Sequence, residues 1–128
     1  MSNIPENLRY SKDHEWLRID GETASVGITD YAQSSLGDVV FVDLPRVGDT
    51  FDSHAGFGSV ESVKAVSEIF MPVGGTVVEV NDTINESAES VNQDPYGAGW
   101  MIKIKIGNPD EVDKLMSAAE YEEFISSE

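Results

Sequence analysis

Lys64 is the residue of this chain best placed for covalent chemistry. It is the only Lys or Arg between Arg46 and Lys103, and Glu61 and Glu68 stand on either side of it. A lysine among acids keeps its proton, whereas a catalytic base or Schiff-base lysine needs a desolvated or cation-crowded amine. An isolated amine is suited instead to acylation by an enzyme that brings an activated acyl group. The pattern therefore indicates a modification site.

The other groups with reactive side chains lack the neighbours that catalysis or metal binding needs. His14 lies between Asp13 and Glu15, but the alternation of a strand would point it away from both. His54 stands alone in a predicted loop, and Gly56-Phe-Gly58 lacks the rest of a nucleotide-binding fingerprint. The sequence has no cysteine, and its carboxylates show no EF-hand spacing. We therefore predict neither a catalytic residue nor a metal site.

The composition indicates a single acidic domain. The 128 residues are enough for one hydrophobic core over residues 1–128, and a formal net charge of −16 argues against nucleic-acid binding. That charge favours steered encounters with basic patches on partner proteins. No secretory signal follows Met1, and no apolar run approaches the ~20 residues that cross a bilayer. We therefore expect a cytoplasmic protein without nucleic-acid or membrane partners.

Two β-hairpins are predicted in the first two-thirds of the chain. Residues 17–19 and 24–28 alternate between apolar and polar on either side of Asp20-Gly21, a dipeptide typical of tight turns. A second hairpin is predicted over about residues 58–70, with its apex at Val63-Lys64. An apex that serves only stability usually contains Asn-Gly or Asp-Gly, and this one does not. The residues of this turn therefore indicate that it serves to present the lysine.

Further strands and a short internal helix are predicted around these hairpins. Thr29 can cap a helix over residues 30–36, which Gly37 would end. Strands are predicted at 39–42, where an apolar run suits a buried position, and at 76–80 and 102–106. Residues 81–99 are predicted to be irregular apart from one helical turn near 84–88.

The C-terminal segment contains two helix starts. Asn108 precedes a proline, and Glu111 is placed to complete a capping box. Ser117 and Glu120 repeat the arrangement before an apolar stripe that suits core packing, which consists of Tyr121, Phe124 and Ile125. Two helices are therefore predicted within about residues 108–127. The fold class is mostly β, a flattened barrel or sandwich with a short internal helix and a C-terminal helix pair.

The stretch Val60-Glu-Ser-Val-Lys-Ala65 resembles the lipoyl-lysine hairpin of the glycine cleavage system H proteins. The resemblance extends along nearly the whole chain, through Tyr10-Ser-Lys-Asp-His-Glu-Trp16, Gly27-Ile-Thr-Asp-Tyr-Ala-Gln33, Leu36-Gly-Asp-Val-Val-Phe-Val-Asp-Leu-Pro45 and Gly99-Trp-Met-Ile-Lys-Ile-Lys105. The family's attachment pattern has a glutamate three residues before the lysine and glycines upstream and downstream. Glu61, Gly48 and Gly75 match those positions.

Two related groups of carrier domains fit the residues less well. Biotin carriers usually place the target lysine between two methionines, whereas Val63 and Ala65 flank Lys64. Lipoyl domains of the 2-oxoacid dehydrogenases typically have an aspartate before the lysine and belong to larger multidomain chains.

The resemblance implies a fold of the lipoyl/biotinyl-domain type and a lipoate bound as an amide to Lys64. The arm would take an aminomethyl group from glycine decarboxylase, a pyridoxal-phosphate enzyme, and present it to a tetrahydrofolate-dependent aminomethyltransferase. Dihydrolipoamide dehydrogenase would then reoxidise the arm. Lipoate-attaching enzymes would recognise Glu61, Gly48 and Gly75. The protein would be a carrier and not an enzyme, and a monomer suits a carrier that visits several partners.

The resemblance also suggests a role for Glu15 and Glu68. The aminomethyl cargo is cationic at neutral pH, so a shallow cleft lined by carboxylates could hold it and slow its loss to water. Ordinary surface charge with no contact to the arm is the competing interpretation.

Two other functions fit the same residues. One is an H-like relay that donates lipoyl groups to 2-oxoacid dehydrogenases, and support of glycine–bicarbonate exchange would separate it from the first function. The other is an interaction module in which Lys64 is never modified. Its signature would be decarboxylase binding that survives Lys64→Arg without loss of pathway activity.

Overall fold

Two antiparallel β-sheets form the body of the protein in the computed structural model, which describes residues 4–127. The strands are β1 Arg9–Tyr10, β2 Glu15–Asp20, β3 Thr23–Ile28, β4 Val39–Asp43, β5 Thr50–Phe51, β6 Gly56–Ser62, β7 Val66–Phe70, β8 Gly75–Val80 and β9 Ile102–Ile106. The helices are α1 Asp30–Leu36, α2 Ser90–Gln93 and α3 Ala118–Ser126, with 3₁₀ segments at Ile84–Glu86 and Pro109–Lys114.

The two sheets enclose one main core and remain separate, so they do not close into a barrel. Six strands run in the order β1-β2-β3-β9-β8-β5, and three in the order β4-β6-β7. Leu17, Val26 and Ile104 of the larger sheet and Val42 and Val60 of the smaller one belong to the same buried cluster. The predicted mostly β class is therefore confirmed, and of its two forms the protein is a sandwich and not a closed barrel.

The predicted internal helix has the bounds and caps that its sequence indicates. The Thr29 hydroxyl accepts a hydrogen bond from the Ala32 N–H at 3.2 Å, and Asp30 lies in the first turn. Gly37 follows the helix with φ 81°, a conformation that glycine adopts without strain. The chain then enters β4 across the end of this helix.

β4 departs from the prediction that the run 39–42 is buried. Val39 and Val42 are buried, but Val40 and Phe41 are exposed. The register against β6 shifts between Val39 and Phe41, as at a β-bulge. Because an inserted residue breaks the strict alternation of faces, two consecutive apolar side chains are left outside the core. The prediction was wrong at these two positions.

The two predicted C-terminal helix starts differ in their outcome. Ser117 and Glu120 form the predicted capping box, with both reciprocal hydrogen bonds present. Asn108 caps the first segment by accepting from the Asp110 N–H at 3.1 Å, but Glu111 forms no capping box. Its carboxylate accepts from the Gly74 N–H at 2.8 Å and so ties this 3₁₀ segment to the chain before β8. The prediction for Glu111 was therefore wrong.

The segment 81–99 is less irregular than predicted. Its expected helical turn lies at Ile84–Glu86, and a second short helix, α2, follows it. The Asn92 side chain donates to the Gly37 carbonyl at 2.8 Å and accepts from the Val39 N–H at 2.8 Å. The segment is thus held against the end of α1 and the start of β4.

A second cluster of buried aromatic residues holds α3 against the first strands. Tyr10 and Tyr121 are fully buried and stack with ring centroids 4.7 Å apart. Tyr121 belongs to the apolar stripe that suits core packing, and Phe124 and Ile125 pack partly buried beside it. Among residues 4–127, no helix is long and apolar enough to cross a membrane. Residues 1–3 and 128 of the predicted domain lie outside the described residues.

Candidate functional site

Lys64 lies at the apex of the β6–β7 hairpin. Glu61 pairs with Val66, and the Ser62 N–H donates to the Ala65 carbonyl at 2.8 Å. Val63 and Lys64 are therefore the central residues of the turn, as the sequence predicts. The Lys64 side chain is exposed, and a Cβ atom placed on Gly37 would lie 3.5 Å from its Cε atom. The lysine thus lies over the C-terminal end of α1.

The Ser62 side chain organises this apex, a role that the sequence reading missed. Its buried hydroxyl oxygen accepts from the N–H groups of Lys64 at 3.3 Å and Ala65 at 3.1 Å. The Val63 N–H donates to the Asp38 carbonyl at 3.0 Å, which ties the apex to the loop after α1. A serine two residues before the lysine was the available signal, because serine hydroxyls hydrogen-bond the backbone in turns.

A cavity of about 250 Å³ lies between α1 and β7, the edge strand of the smaller sheet. Its lining residues are Asp13, His14, Glu15, Ile28, Tyr31, Ala32, Ser35, Leu36, Val60, Ser67, Glu68 and Ile69. Apolar side chains therefore share this cavity with three carboxylates, Asp13, Glu15 and Glu68, and Glu68 is far from the other two in sequence. The lysine hairpin and the cavity share β7, and α1 lies beside both.

Glu15 is a buried carboxylate with its hydrogen bonds satisfied. The Ser11 hydroxyl donates to Oε1 at 2.6 Å, and the Phe70 N–H donates to Oε2 at 3.2 Å. Loss of solvation nevertheless outweighs these hydrogen bonds and raises the pKa of Glu15 to about 7. The side chain can therefore gain or lose a proton near neutral pH, and a cation placed beside it would favour the ionised form.

Glu68 lines the cavity, and its carboxylate lies against Gly56, which has no side chain. Gly56 pairs with Phe70 two residues along β7, and the Glu68 carboxylate occupies the space that a Cβ atom on Gly56 would need. Gly56, part of a Gly-x-Gly pair that is too weak a signal for a nucleotide site, thus leaves room for the Glu68 carboxylate.

His14 contradicts its sequence-based interpretation. It precedes β2 with φ 66°, in the left-handed region, so strand alternation does not apply to it. Its ring lines the cavity together with Glu15, and its Nδ1 atom lies 2.8 Å from the Tyr121 hydroxyl. That hydroxyl lies 2.7 Å from the Thr29 hydroxyl at the start of α1. The expectation that His14 follows the alternation of a strand was therefore wrong.

The remaining candidate residues lie elsewhere. His54 is exposed and does not line the cavity. Gly48 adopts φ 99°, and its N–H donates to the Val77 carbonyl on the larger sheet. Gly75 packs against the Lys105 carbonyl, which leaves no room for a Cβ atom. Glu61 is exposed on β6 beside the apex. Within residues 4–127, no three His, Asp or Glu side chains come close enough together to hold a metal ion.

The β-sandwich with one lysine at a hairpin apex matches the architecture of carrier domains of the lipoyl/biotinyl type. The family model described as Glycine cleavage H-protein matches residues 8–128 of the sequence. The chain belongs to this family.

Individual relatives agree with this assignment over nearly their full length. The glycine cleavage system H protein of Halothermothrix orenii is 54% identical over 123 residues, which cover 96% of each chain. That of Carboxydothermus hydrogenoformans is 52% identical over 128 residues, covering 100% of this chain and 98% of the relative. The crystal structure of a glycine cleavage system H protein from Mycobacterium marinum superposes with a TM-score of 0.88 at 39% identity, covering 96% of this chain and 99% of that one.

Proposed function

We propose that Lys64 carries lipoate as an amide and that the protein uses this arm as the shuttle of the glycine cleavage system. When bound, the lipoyl group supplies a pair of sulfur atoms that can be reduced, reoxidised and loaded with a one-carbon amine. The chain's residues suit such a group, since the Lys64 amine is exposed on a hydrogen-bonded apex. Membership of the H-protein family supports the choice of lipoate over other acyl groups.

The observation that carries this proposal is the cavity beside the hairpin. Its apolar walls from α1 and β7 suit a hydrocarbon arm, and its carboxylates, among them Glu15 and Glu68, suit a cationic amine at the end of that arm. A buried carboxylate attracts a cation more strongly than an exposed one, because the surrounding medium screens the charges less. These residues would hold the amine and limit its contact with water.

The proposed partners follow from the family. They are glycine decarboxylase, the tetrahydrofolate-dependent aminomethyltransferase, dihydrolipoamide dehydrogenase and the enzymes that attach lipoate. The chain itself would supply the tether and the cavity, and the partners would supply the catalysis. Recognition of Glu61, Gly48 and Gly75 by the attaching enzymes remains a prediction. The bacterial relatives support a cytoplasmic site of action.

Intact mass measurement with peptide mapping tests the proposal. The purified chain is incubated with a lipoate-attaching enzyme, lipoate and ATP, and one lipoyl increment is expected on the peptide that contains Lys64. Lys64→Arg should show no increment. If an enzyme proven active on a control acceptor adds nothing to the unsubstituted chain, the carrier function is wrong.

A second assay separates the shuttle from a lipoyl relay. The lipoylated protein should support exchange of bicarbonate into glycine when mixed with glycine decarboxylase, and Lys64→Arg should not. Lipoylation without any exchange would contradict the shuttle and favour the relay.

A further inference from the structure

Apolar side chains are exposed on the outer face of the smaller sheet, around the lysine hairpin. Phe41 pairs with Glu61, and Glu61 pairs with Val66, so the three side chains form one row across β4, β6 and β7. Phe41 is 47% exposed and Val66 is 66% exposed. Paired residues of an antiparallel sheet point to the same face, so this row is a continuous surface.

Two more apolar residues extend this row. Val40 is exposed beside Phe41 because of the register shift in β4, and Val63 is 68% exposed at the apex itself. We call Val40, Phe41, Val63 and Val66 the hairpin patch. Of the seven large apolar side chains that residues 4–127 leave exposed, these four lie on the lysine hairpin or the strand beside it. Scattered exposed apolar residues need no explanation, whereas a cluster indicates an interaction surface.

The charges around the hairpin patch describe its partner. Glu61 lies within the row, and Asp43, Ser59 and Glu68 form the next row on the same strands. Lys64 is the only Lys or Arg on β4, β6, β7 and the turn that joins the last two. A complementary protein surface is therefore apolar at its centre, with Lys or Arg side chains at its rim.

The position of the patch relative to Lys64 selects among the proposed partners. An enzyme that acylates the lysine must bring its active site to the Nζ atom, which is one side chain away from the apex. Contact with Val63, Val66 and their neighbours then follows. When the finished arm extends out of the cavity, its far end is separated from the apex by the length of the lipoyl chain, so an enzyme that acts there has less need of this contact.

We propose that the hairpin patch is the docking surface of the enzyme that attaches lipoate to Lys64. This inference rests on the proposed function. The reaction that it serves forms an amide between Nζ and the lipoyl carboxyl carbon and breaks the acyl–phosphate bond of lipoyl adenylate. AMP leaves, and the lysine ammonium group gives up two protons.

Steady-state lipoylation of patch variants tests the docking role. Phe41→Ser and Val66→Ser should each lower kcat/KM for the chain by about tenfold, mainly through a higher KM, because apolar anchors at the centre of an interface carry much of its affinity. Val47→Ser and Ile19→Ser are matched controls, since these side chains are 63% and 45% exposed outside the patch. They should stay within about twofold of the unsubstituted chain, as typical contacts outside an anchor do.

Three further measurements make the outcome decisive. Thermal unfolding identifies a variant that is slow because it is unfolded, and Phe41→Lys then replaces it as a soluble disruption of the same surface. Patch variants lipoylated to completion should be reoxidised by dihydrolipoamide dehydrogenase at the unsubstituted rate. Sedimentation should show the same molecular mass for the variants and the unsubstituted chain.

Each contrary result overturns the inference by a different route. Unchanged lipoylation of both patch variants removes the docking role while leaving the Lys64 carrier function intact. Equal losses of kcat/KM in the patch and control variants would show that any loss of exposed apolar surface has the same effect, wherever it lies. Slower reoxidation assigns the patch to a later partner, and a change in molecular mass assigns it to contact between copies of this chain. A chain that is never lipoylated instead contradicts the proposed function itself.

Discussion

Glu15 is buried at a structural cost, and the proposed function gives it a binding role. Its carboxylate is almost wholly buried, and two hydrogen-bond donors point at it, yet burial raises its pKa from 4.5 to about 7. Apolar residues at this position would make the cavity easier to build. We propose that the cation that pairs with this carboxylate comes and goes, as the aminomethyl cargo would.

Glu15→Gln should change how stability depends on pH. The folded protein takes up a proton at about pH 7, while the unfolded chain does so near 4.5, so the folded state gains stability as pH falls between these values. The difference corresponds to about 3 kcal/mol. Glutamine can accept from the Phe70 N–H and donate to Ser11, but it cannot ionise. We compare the free energy of unfolding of the variant with that of the unsubstituted chain. This difference should be more favourable to the variant at pH 8 than at pH 4.5, by up to about 3 kcal/mol.

Urea unfolding of both proteins at pH 4.5, 6 and 8 measures this difference. A difference in the free energy of unfolding that is the same at every pH would come from a change in packing, and it does not bear on the prediction. Parallel stability curves over the whole range would show that Glu15 does not titrate near neutral pH.

Gly56→Ala is expected to act on the cavity without unfolding the protein. The new Cβ atom would meet the end of the flexible Glu68 side chain and displace its carboxylate, at little cost in stability. If Glu68 holds the cationic cargo, Gly56→Ala and Glu68→Ala should shorten the lifetime of the loaded arm by similar factors, about twofold to tenfold for one partly exposed charge.

Release of ammonia or formaldehyde from the loaded protein, measured over time, provides the lifetime. Glu61→Ala is the control, because it removes an exposed carboxylate that does not line the cavity. A lifetime that is unaffected by either cavity variant would favour ordinary surface charge at Glu68.

At the scale of elements, α3 fixes the position of the cavity wall. The Tyr121 hydroxyl joins His14, which lines the cavity, to Thr29, which caps α1. One buried phenol thus links the last helix to the two segments that enclose Glu15. This link explains why a helix at the end of the chain matters to a site formed by its first half.

Tyr121→Phe should keep the ring in place and remove the link. The buried Thr29 hydroxyl loses a partner, so stability should fall by about 1–3 kcal/mol. Hydrogen exchange at the first turn of α1 should accelerate, because the capping Thr29 side chain is less well held. Urea unfolding and exchange by NMR measure the two effects. Equal stability and unchanged exchange at residues 30–32 would show that the hydroxyl link has no structural role.

Sequence analysis succeeded where a feature is encoded by neighbouring residues. The caps of α1, the capping box of Ser117 and the apex at Val63-Lys64 depend on contacts within a few positions. It failed where contacts between distant segments determine the conformation or the partner of a residue. The carboxylate of Glu111 bonds to Gly74 and not to its own helix, and the conformation of His14 accompanies a contact with Tyr121, 107 residues away.

The candidate site shows the same division. Lys64 could be identified from its isolation in the sequence, and the family pattern suggested Glu15 and Glu68. The shared cavity could not be predicted, because it requires α1 and β7 to pack side by side. Exposure of Val40 and Phe41 also escaped prediction, since it depends on a register shift between β4 and β6.

At the scale of the whole molecule, the most prominent property is the net negative charge. A net charge of −16 on 128 residues is spread over a surface that carries only eight Lys and Arg residues. Such a field does not determine the fold, but it accelerates encounter with partners that carry basic rims. The same charge makes copies of the chain repel one another.

Reoxidation by dihydrolipoamide dehydrogenase should therefore be sensitive to salt in a particular way. Raising ionic strength from 0.01 to 0.5 M shortens the screening length severalfold and should lower kcat/KM for the reduced protein by about tenfold or more, with kcat nearly unchanged. Free dihydrolipoamide is the matched control, because it presents the same dithiol without the protein's charge, and its kcat/KM should hardly change. If the two substrates respond equally to salt, the enzyme itself is salt-sensitive, and the acidic surface contributes nothing to the encounter.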